Sequence, residues 1–477
     1  MLIVLLILIP LLGGLAAMLM PERNVHIHAV GVAITTLALA VAGYFHFTMN
    51  TPGIDLVYQH SWIESLGATF SVGLTDGLSI LMVLLTAIIF PFIFISIRNK
   101  QPERKNTFYG LMLLAQAGLM GVFLAQDALL FYVFWEVALI PVYFLSSMYG
   151  GPRRIPVTFK FFVYTFAGSL IMLAAFLMIY QHTAHQFSFG SFVGAGASLE
   201  AGQQNLLFWM IFIAFAIKMP IFPFHTWQPD AYEQSATPVT IVLSAIMVKM
   251  GLFAVIRWLI PVLPLASVRW MDLILLLSVV SVVFGSIMAM VQTNIKRLIA
   301  YSSIAHIGLM SAAIFSQQAV GLQGVAIQMF NHGINIMGLW IIVSILENRL
   351  KTQDLREMGG IAKVAPAFTI ALVVISLANI ALPLTNGFVG EFMMFNGLFN
   401  AASPYRIAFT VAAGLGVILS AVYTLTMIQK VAYGNTNSLT EGFKDLTINE
   451  KLILILIILI ILWLGFYPKM LMGLVNV

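Results

Sequence analysis

The chain has no cysteine in 477 residues. This excludes disulfides, thiolate-held iron–sulfur clusters and cysteine-type zinc sites, so any electron transfer connected with the protein takes place in another chain. Charge is scarce as well: 9% of the residues are charged and 61% are hydrophobic, whereas a soluble domain has about 25% charged residues. A water-soluble globule is ruled out. Long polar stretches are missing too, since the most polar ones, TQDLREMGGIAK between Leu350 and Ala365 and the segment 434–450, are too short for a catalytic domain. The net charge of +5 and the pI near 9.3 would point to nucleic acid in a soluble protein. Here the basic residues sit in short connections between apolar runs, where they report orientation.

What is present is a succession of apolar runs of the ~20 residues needed to cross hydrocarbon. They predict an all-α integral membrane protein with about 14 transmembrane helices. The runs fall near 2–20, 26–48, 76–97, 107–125, 128–148, 158–180, 206–224, 237–259, 271–292, 298–316, 322–346, 364–400, 406–430 and 451–473. The first run, MLIVLLILIPLLGGLAAMLM, has no basic leader and no small-residue cleavage site, and is expected to be retained as a span. Of the 23 lysines and arginines, those outside the spans lie almost wholly in connections after odd-numbered spans, Lys100 among them. Arg257, Arg269, Arg406 and Lys469 fall on the other side, and Lys218 and Lys249 fall within spans. By the positive-inside rule both termini face outward. The loop from Met49 to Thr75 has no basic residue and carries the alternating piece GATFSVGL, which predicts a small outer hairpin.

The stretch from Ile211 to Thr237, IFIAFAIKMPIFPFHTWQPDAYEQSAT, breaks the rules of a span. It carries a lysine at Lys218 and is interrupted at Pro220 and Pro223. An ionisable group in hydrocarbon costs roughly 2.5–3.5 kcal/mol on insertion scales, so it faces a bundle interior or a watery cavity. A proline-broken helix at membrane depth is tolerated in the same surroundings. A second break lies at ANIALPLTNGFVGEFMMF, where Pro383 and Gly387 interrupt the run and Glu391 follows. Two matched breaks five spans apart are the pattern of inverted-topology repeats. The chain therefore reads as a single polytopic membrane domain over 1–477, with one five-helix repeat at 107–259 and an inverted one at 271–430, each holding a broken helix, and with 1–97 and 451–477 as flanking spans.

Glu136, Lys218, Lys249, His306, His332 and Glu391 are the ionisable groups near span midpoints or breaks, on six different spans. At 1.5 Å per residue, four of them fall within about 3 Å of one plane. Groups that each accept and release a proton, in a row at the bilayer midplane, suit proton hopping through intervening water. Each has a plainer reading: Glu136 can neutralise a lysine structurally, a lone histidine can be a packing residue, and paired prolines can make an ordinary kink. His225, Asp230 and Glu233, at the inner end of the broken seventh span, either line the mouth of a path or are solvated, and the solvated reading is preferred. Asp76 and Asp127 read as helix caps. The remaining histidines, near span ends, do not have metal-site spacing, and the glycines of LPLTNGFVGEF follow no strand and make no phosphate cradle.

The motifs FYVFWEVALIPVYFL, AFAIKMPIFPFHTWQPDAYEQSATPVTIVLSAIMVKMG, NIKRLIAYSSIAHIG and NHGINIMG closely resemble the antiporter-like membrane subunits of respiratory complex I, the proton-pumping NADH:quinone oxidoreductase. The superfamily includes subunits of Mrp-type Na⁺(K⁺)/H⁺ antiporters and membrane-bound hydrogenases. One complex I subunit type has a glutamate at the second break, as at Glu391, where the others and the Mrp subunits typically have lysine. The resemblance implies that Glu136 is a charge-pairing carboxylate, Lys218 its partner, Lys249 the central relay lysine, His306 and His332 linking groups and Glu391 the terminal relay. It also implies a bacterial inner-membrane translocase subunit without cofactors of its own, with flavin, iron–sulfur clusters and quinone in partner subunits. Two other antiporter-like chains and membrane lipids are the expected neighbours, and nucleic acid is not one. A subunit of an Mrp-type Na⁺(K⁺)/H⁺ antiporter or of a membrane-bound hydrogenase, and a structural scaffold, are the competing readings.

Overall fold

A computed structural model of the chain describes residues 1–49, 56–98 and 102–475. Lys100, part of the 49–75 loop and the last two residues of the C-terminal flank lie outside them. The chain opens with α1 (Leu2–Leu19) and α2 (Glu22–Met49), followed by strands β1 (Val57–Ile63) and β2 (Ala68–Gly73). Then come α3 (Gly77–Ser96), α4 (Lys105–Leu124), α5 (Ala128–Met148), α6 (Arg154–Tyr180), α7 (Phe189–Ser198), α8 (Ala201–Lys218) and α9 (Gln228–Gln234). A continuous α10 (Thr237–Leu259) leads to α11 (Pro264–Arg269), α12 (Met271–Met290), α13 (Ile295–Phe315), α14 (Ala319–Leu350) and α15 (Ile361–Val364). The chain closes with α16 (Pro366–Asn379), α17 (Asn386–Phe399), α18 (Arg406–Ala432), α19 (Ile448–Phe466) and α20 (Lys469–Met472).

The fold is all-α and membrane-spanning. Twelve helices among the described residues are long and apolar enough to cross a membrane. The expected 14 spans also counted two interrupted segments, 206–224 and 364–400, and these are the ones the twelve leave out: α8 with the turns that follow it, and α16 with α17. Both breaks fall where prolines and a buried ionisable residue coincide in the sequence.

Two compact units are present. One comprises Met1–Met219 and Ile246–Trp270, and the other Pro220–Ala245 and Met271–Val477. In the first unit α4 packs against α1 and α5, and α6 against α8. In the second, α13 packs against α12, and α14 against α17. Helices α13 and α14 are buried almost throughout, so their apolar residues surround the whole helix and leave no lipid-facing stripe.

The strand pair corrects one expectation. GATFSVGL does not form a hairpin by itself: it supplies β2, and β1 comes from VYQHSWI upstream, paired antiparallel with Val57 opposite Gly73. The turn needs Gly67, whose φ of 61° is left-handed and whose missing side chain leaves room for the His185 carbonyl, 1.9 Å from where a Cβ would stand. Asp127 ties this hairpin to α5. Its carboxylate accepts from Leu129 N and Leu130 N as a cap, and from Thr69 N and Oγ1 on β2. Asp76 caps α3 through Ser79 N at 2.8 Å and pairs with Arg257. In the second unit Asp445, from the loop before α19, caps α16 by accepting from Ala367 N and Phe368 N.

Candidate proton-relay site

In the first unit, Lys218 is the last residue of α8 and Met219 closes the turn through a bond to the Phe215 carbonyl. The helix stops because Pro220 supplies no N–H and Pro223 follows it. Lys218 is 2% exposed, and its Nζ lies 5.3 Å from the centre of the Trp135 ring, a cation–π distance. Glu136, adjacent to that tryptophan on α5, interacts electrostatically with Lys218 and is approached by the Ser169 hydroxyl. Neither Lys218 Nζ nor Glu136 Oε1 has a hydrogen-bond partner among the described residues. The two are thus coupled through space without the direct hydrogen bond that would lock them together.

Lys249 is fully buried on α10. It lies between two π-helical turns, Leu243–Met247 and Val255–Leu259. Such turns displace the backbone register and concentrate at functional sites. Gly251, one turn from the second of them, lets α10 approach the broken end of α8: a Cβ there would stand 2.8 Å from Met219 N and 2.9 Å from the Phe215 carbonyl. Nothing in the residue types of LSAIM or VIRWL announces a π turn, so sequence reading missed this feature.

In the second unit, His306 on α13, His332 on α14 and Glu391 on α17 come together. His306 Nδ1 is 3.3 Å from Glu391 Oε1, and the two imidazole centres are 5.3 Å apart. Gln328 Nε2 donates to the same carboxylate oxygen at 3.4 Å. Asn379, at the end of α16, approaches His306 Nε2 and donates to Ser302 Oγ, both at 3.5 Å. Ser302 in turn shares a 2.8 Å hydrogen bond with the Tyr423 hydroxyl. A crevice of about 20 Å³ is lined by His306, Glu391, Tyr423, Ser286 and Ser420 among apolar side chains such as Val282 and Leu309, so the carboxylate borders a space with room for about one water molecule.

The second break has its own support. Ala381 and Leu384, on either side of Pro383, adopt left-handed φ values of 55° and 74°, which the surroundings must hold in place. Asn331 and Asn335, one helical turn apart on α14, donate to the Asn386 carbonyl at 2.6 Å and the Ala378 carbonyl at 3.1 Å. The two asparagines of NHGIN therefore bracket the break, with His332 between them. Their spacing of four residues, flanking a midspan histidine, was a signal available in the sequence.

Of the six residues singled out from sequence, Glu136 and Lys218 meet in the first unit, which also holds Lys249, while His306, His332 and Glu391 meet in the second. The reading of His225, Asp230 and Glu233 as solvated is corrected. His225 is 6% exposed, stacked on Phe222 and edge-on to Phe284. Asp230 and Glu233 both accept from Arg297 Nη1 at 2.9 Å. Their spacing of three residues puts both carboxylates on one face of α9, aimed at one guanidinium. No cluster of three metal-ligating side chains occurs among the described residues.

A polytopic helical protein with two proline-broken spans, buried lysines in one unit and a buried glutamate–histidine group in the other belongs to the class of membrane proteins that move small cations. The family model described as NADH:quinone oxidoreductase/Mrp antiporter, transmembrane, matches residues 125–418, more than half of the chain. The chain belongs to that family. It is 34% identical over 451 residues to NADH-quinone oxidoreductase subunit M of Rickettsia typhi, covering 94% of this chain and 90% of that protein. Its structure matches a chain of respiratory complex I from Thermus thermophilus with bound NADH, with a TM-score of 0.90 and 29% identity, covering 100% of this chain and 98% of that one. A chain of the Mrp complex from Dietzia sp. DQ12-45-1b shares the fold, with a TM-score of 0.87 at 21% identity, covering 99% of this chain and 51% of that one.

Proposed function

We propose that the chain is the subunit M-type antiporter-like component of a proton-pumping NADH:quinone oxidoreductase. It carries protons through Glu136, Lys218, Lys249, His306, His332 and Glu391, driven by redox chemistry in partner subunits. The observation that carries this reading is Glu391, which follows the second helix break, 3.3 Å from His306 and bordering a small crevice also lined by Tyr423, Ser286 and Ser420. A carboxylate and an imidazole at that distance can exchange a proton, and a break is where water reaches membrane depth.

In this reading the resting Glu136 carboxylate favours the charged form of Lys218. When the carboxylate moves away, the ammonium loses its counter-charge and its proton is driven towards Lys249 and onward to the histidines and Glu391. The absence of a hydrogen bond between Glu136 and Lys218 supports this, because no directional bond has to break when the pair separates. The chain itself contributes no redox centre and no NADH site. Flavin, iron–sulfur clusters and quinone belong to partner subunits, and the nearest neighbours are two other antiporter-like chains. The protein resides in a bacterial inner membrane with both termini on the periplasmic side, and 107–259 and 271–430 form inverted repeats.

The test is to purify the complex through a tag on this chain, reconstitute it in vesicles and measure NADH-driven acidification. The reading predicts NADH oxidation by copurifying subunits and proton uptake that does not require sodium. Sodium-dependent exchange without NADH oxidation would make the chain an antiporter subunit instead. Full pumping with both Glu136 and Lys249 neutralised would reduce it to a scaffold.

A further inference from the structure

Lys218 and Lys249 belong to the first unit, yet the segment that joins them, Pro220–Ala245, is part of the second. Within the second unit this segment is fastened at several points. Phe222 N donates to Ser281 Oγ at 2.8 Å near its start. Asp230 and Glu233 on α9 share Arg297. The Thr237 hydroxyl, at the start of α10, donates to Glu347 Oε2 at 3.0 Å, and the other oxygen of Glu347 is 3.0 Å from Lys296 Nζ. Gln353 Nε2 donates to that second oxygen as well, at 2.6 Å. Two adjacent cations at the start of α13, Lys296 and Arg297, thus hold both α9 and the beginning of α10. Their own positions are set by the Asn294 side chain, which accepts from Lys296 N and Arg297 N and donates to Gln353.

We propose that Lys296 and Arg297, with Glu347, form a clamp that positions Lys218 and Lys249 through the segment joining them. Arg297 is a positioning residue for proton transfer. The inference rests on the proton-relay reading above. The physical reason lies in the chain itself: the clamped segment begins two residues after Lys218 and ends four residues before Lys249. Displacing α9 or the start of α10 therefore moves the backbone that carries each lysine. Proton transfer depends on donor–acceptor distance, and about 1 Å of misplacement can cost about a hundredfold in rate.

The test uses the assembled complex in vesicles. Arg297→Gln is expected to lower NADH-driven proton pumping about tenfold and to move the pH dependence of pumping. Arg297→Lys, which keeps the charge, should restore most of both. Asp445→Ala, a lost helix cap elsewhere in the same unit, serves as the control: it should lower thermal stability without moving the pH dependence. The clamp is overturned if Arg297→Gln pumps normally, or if it loses activity with an unmoved pH dependence. If Arg297→Gln does not assemble, Glu233→Gln, which leaves Asp230 on Arg297, carries the same test with the same outcomes. Lys218→Ala, measured in parallel, separates the two ideas. Normal pumping by that variant overturns the relay and the clamp together, whereas lost pumping with an unmoved Arg297→Gln pH dependence overturns the clamp alone.

Discussion

The first break ends at a lysine whose ammonium has no hydrogen-bond partner among the described residues and rests over a tryptophan ring. The second is followed by a glutamate that His306 and Gln328 both approach within 3.4 Å, on a helix whose break is bracketed by two asparagine amides. The two units thus treat a buried charge in opposite ways. In the first, the charge is held loosely, by a through-space carboxylate and an aromatic face. In the second, it is held by direct polar contacts with side chains from two helices, His306 on α13 and Gln328 on α14. In the proposed relay the loosely held group releases its proton when its counter-charge moves, and the firmly held one accepts it at a fixed place.

The difference can be attacked from either side. The largest effect is expected at the proton-carrying groups themselves. Glu391→Gln keeps the shape and the Gln328 contact but removes the titrating oxygen, and should lower proton pumping at least tenfold, the low end of what positioned acid–base groups contribute to rate (about 10²–10⁴) being even larger. Glu391→Asp should keep part of the activity, because the carboxylate survives on a shorter stem; equal losses in the two variants would show that contact geometry, and not titration, matters in the second unit.

A smaller effect is expected where the second break is held. Asn335→Ala removes one donor from the Ala378 carbonyl, which keeps its bond from Ala381 N at 3.1 Å, and a lost hydrogen bond of this kind costs about 0.5–1.5 kcal/mol. The melting temperature of the detergent-purified complex should fall. In the first unit, Gly251→Ala should cost about 1–3 kcal/mol by overpacking, since the new methyl meets Met219 and Phe215 backbone atoms within 3 Å. An unchanged melting temperature in either variant would mean that the corresponding helix pair adjusts freely.

The smallest effect is expected at Asp445, outside the spans. Burial pushes its carboxyl up, but the backbone N–H groups of Leu446, Phe368 and Ala367 outweigh this and hold it below the ordinary carboxylate range. A depressed value means that the cap stabilises the fold above the unfolded-state value, near 3.9, and that this contribution disappears as pH falls through the lower folded-state value. Asp445→Ala should cost about 1 kcal/mol at neutral pH, and the gap to the parent should close in acid. A gap that widened in acid would contradict the capping role.

Much of this was legible in the sequence because membrane-spanning chains leave few explanations for a charge or a proline. Lys218 beside Pro220, and Glu391 after Pro383, mark the breaks by residue type alone. The six ionisable candidates stood out against hydrocarbon for the same reason. What stayed hidden depends on tertiary partners. The π turns around Lys249 come from packing and not from the residues LSAIM or VIRWL. Asp230 and Glu233 looked like ordinary charged residues at a helix end, because their partner, Arg297, is 67 and 64 residues away in sequence. The first strand of the hairpin was overlooked because VYQHSWI alternates weakly, with polar residues at the positions that pair with β2.

The central claim is that Lys218, the loosely held charge of the first unit, carries protons. It is tested most directly by the number of protons pumped per NADH oxidised in vesicles containing the assembled Lys218→Ala complex. The account predicts that this ratio falls while the complex remains assembled; a ratio equal to that of the parent complex would contradict it.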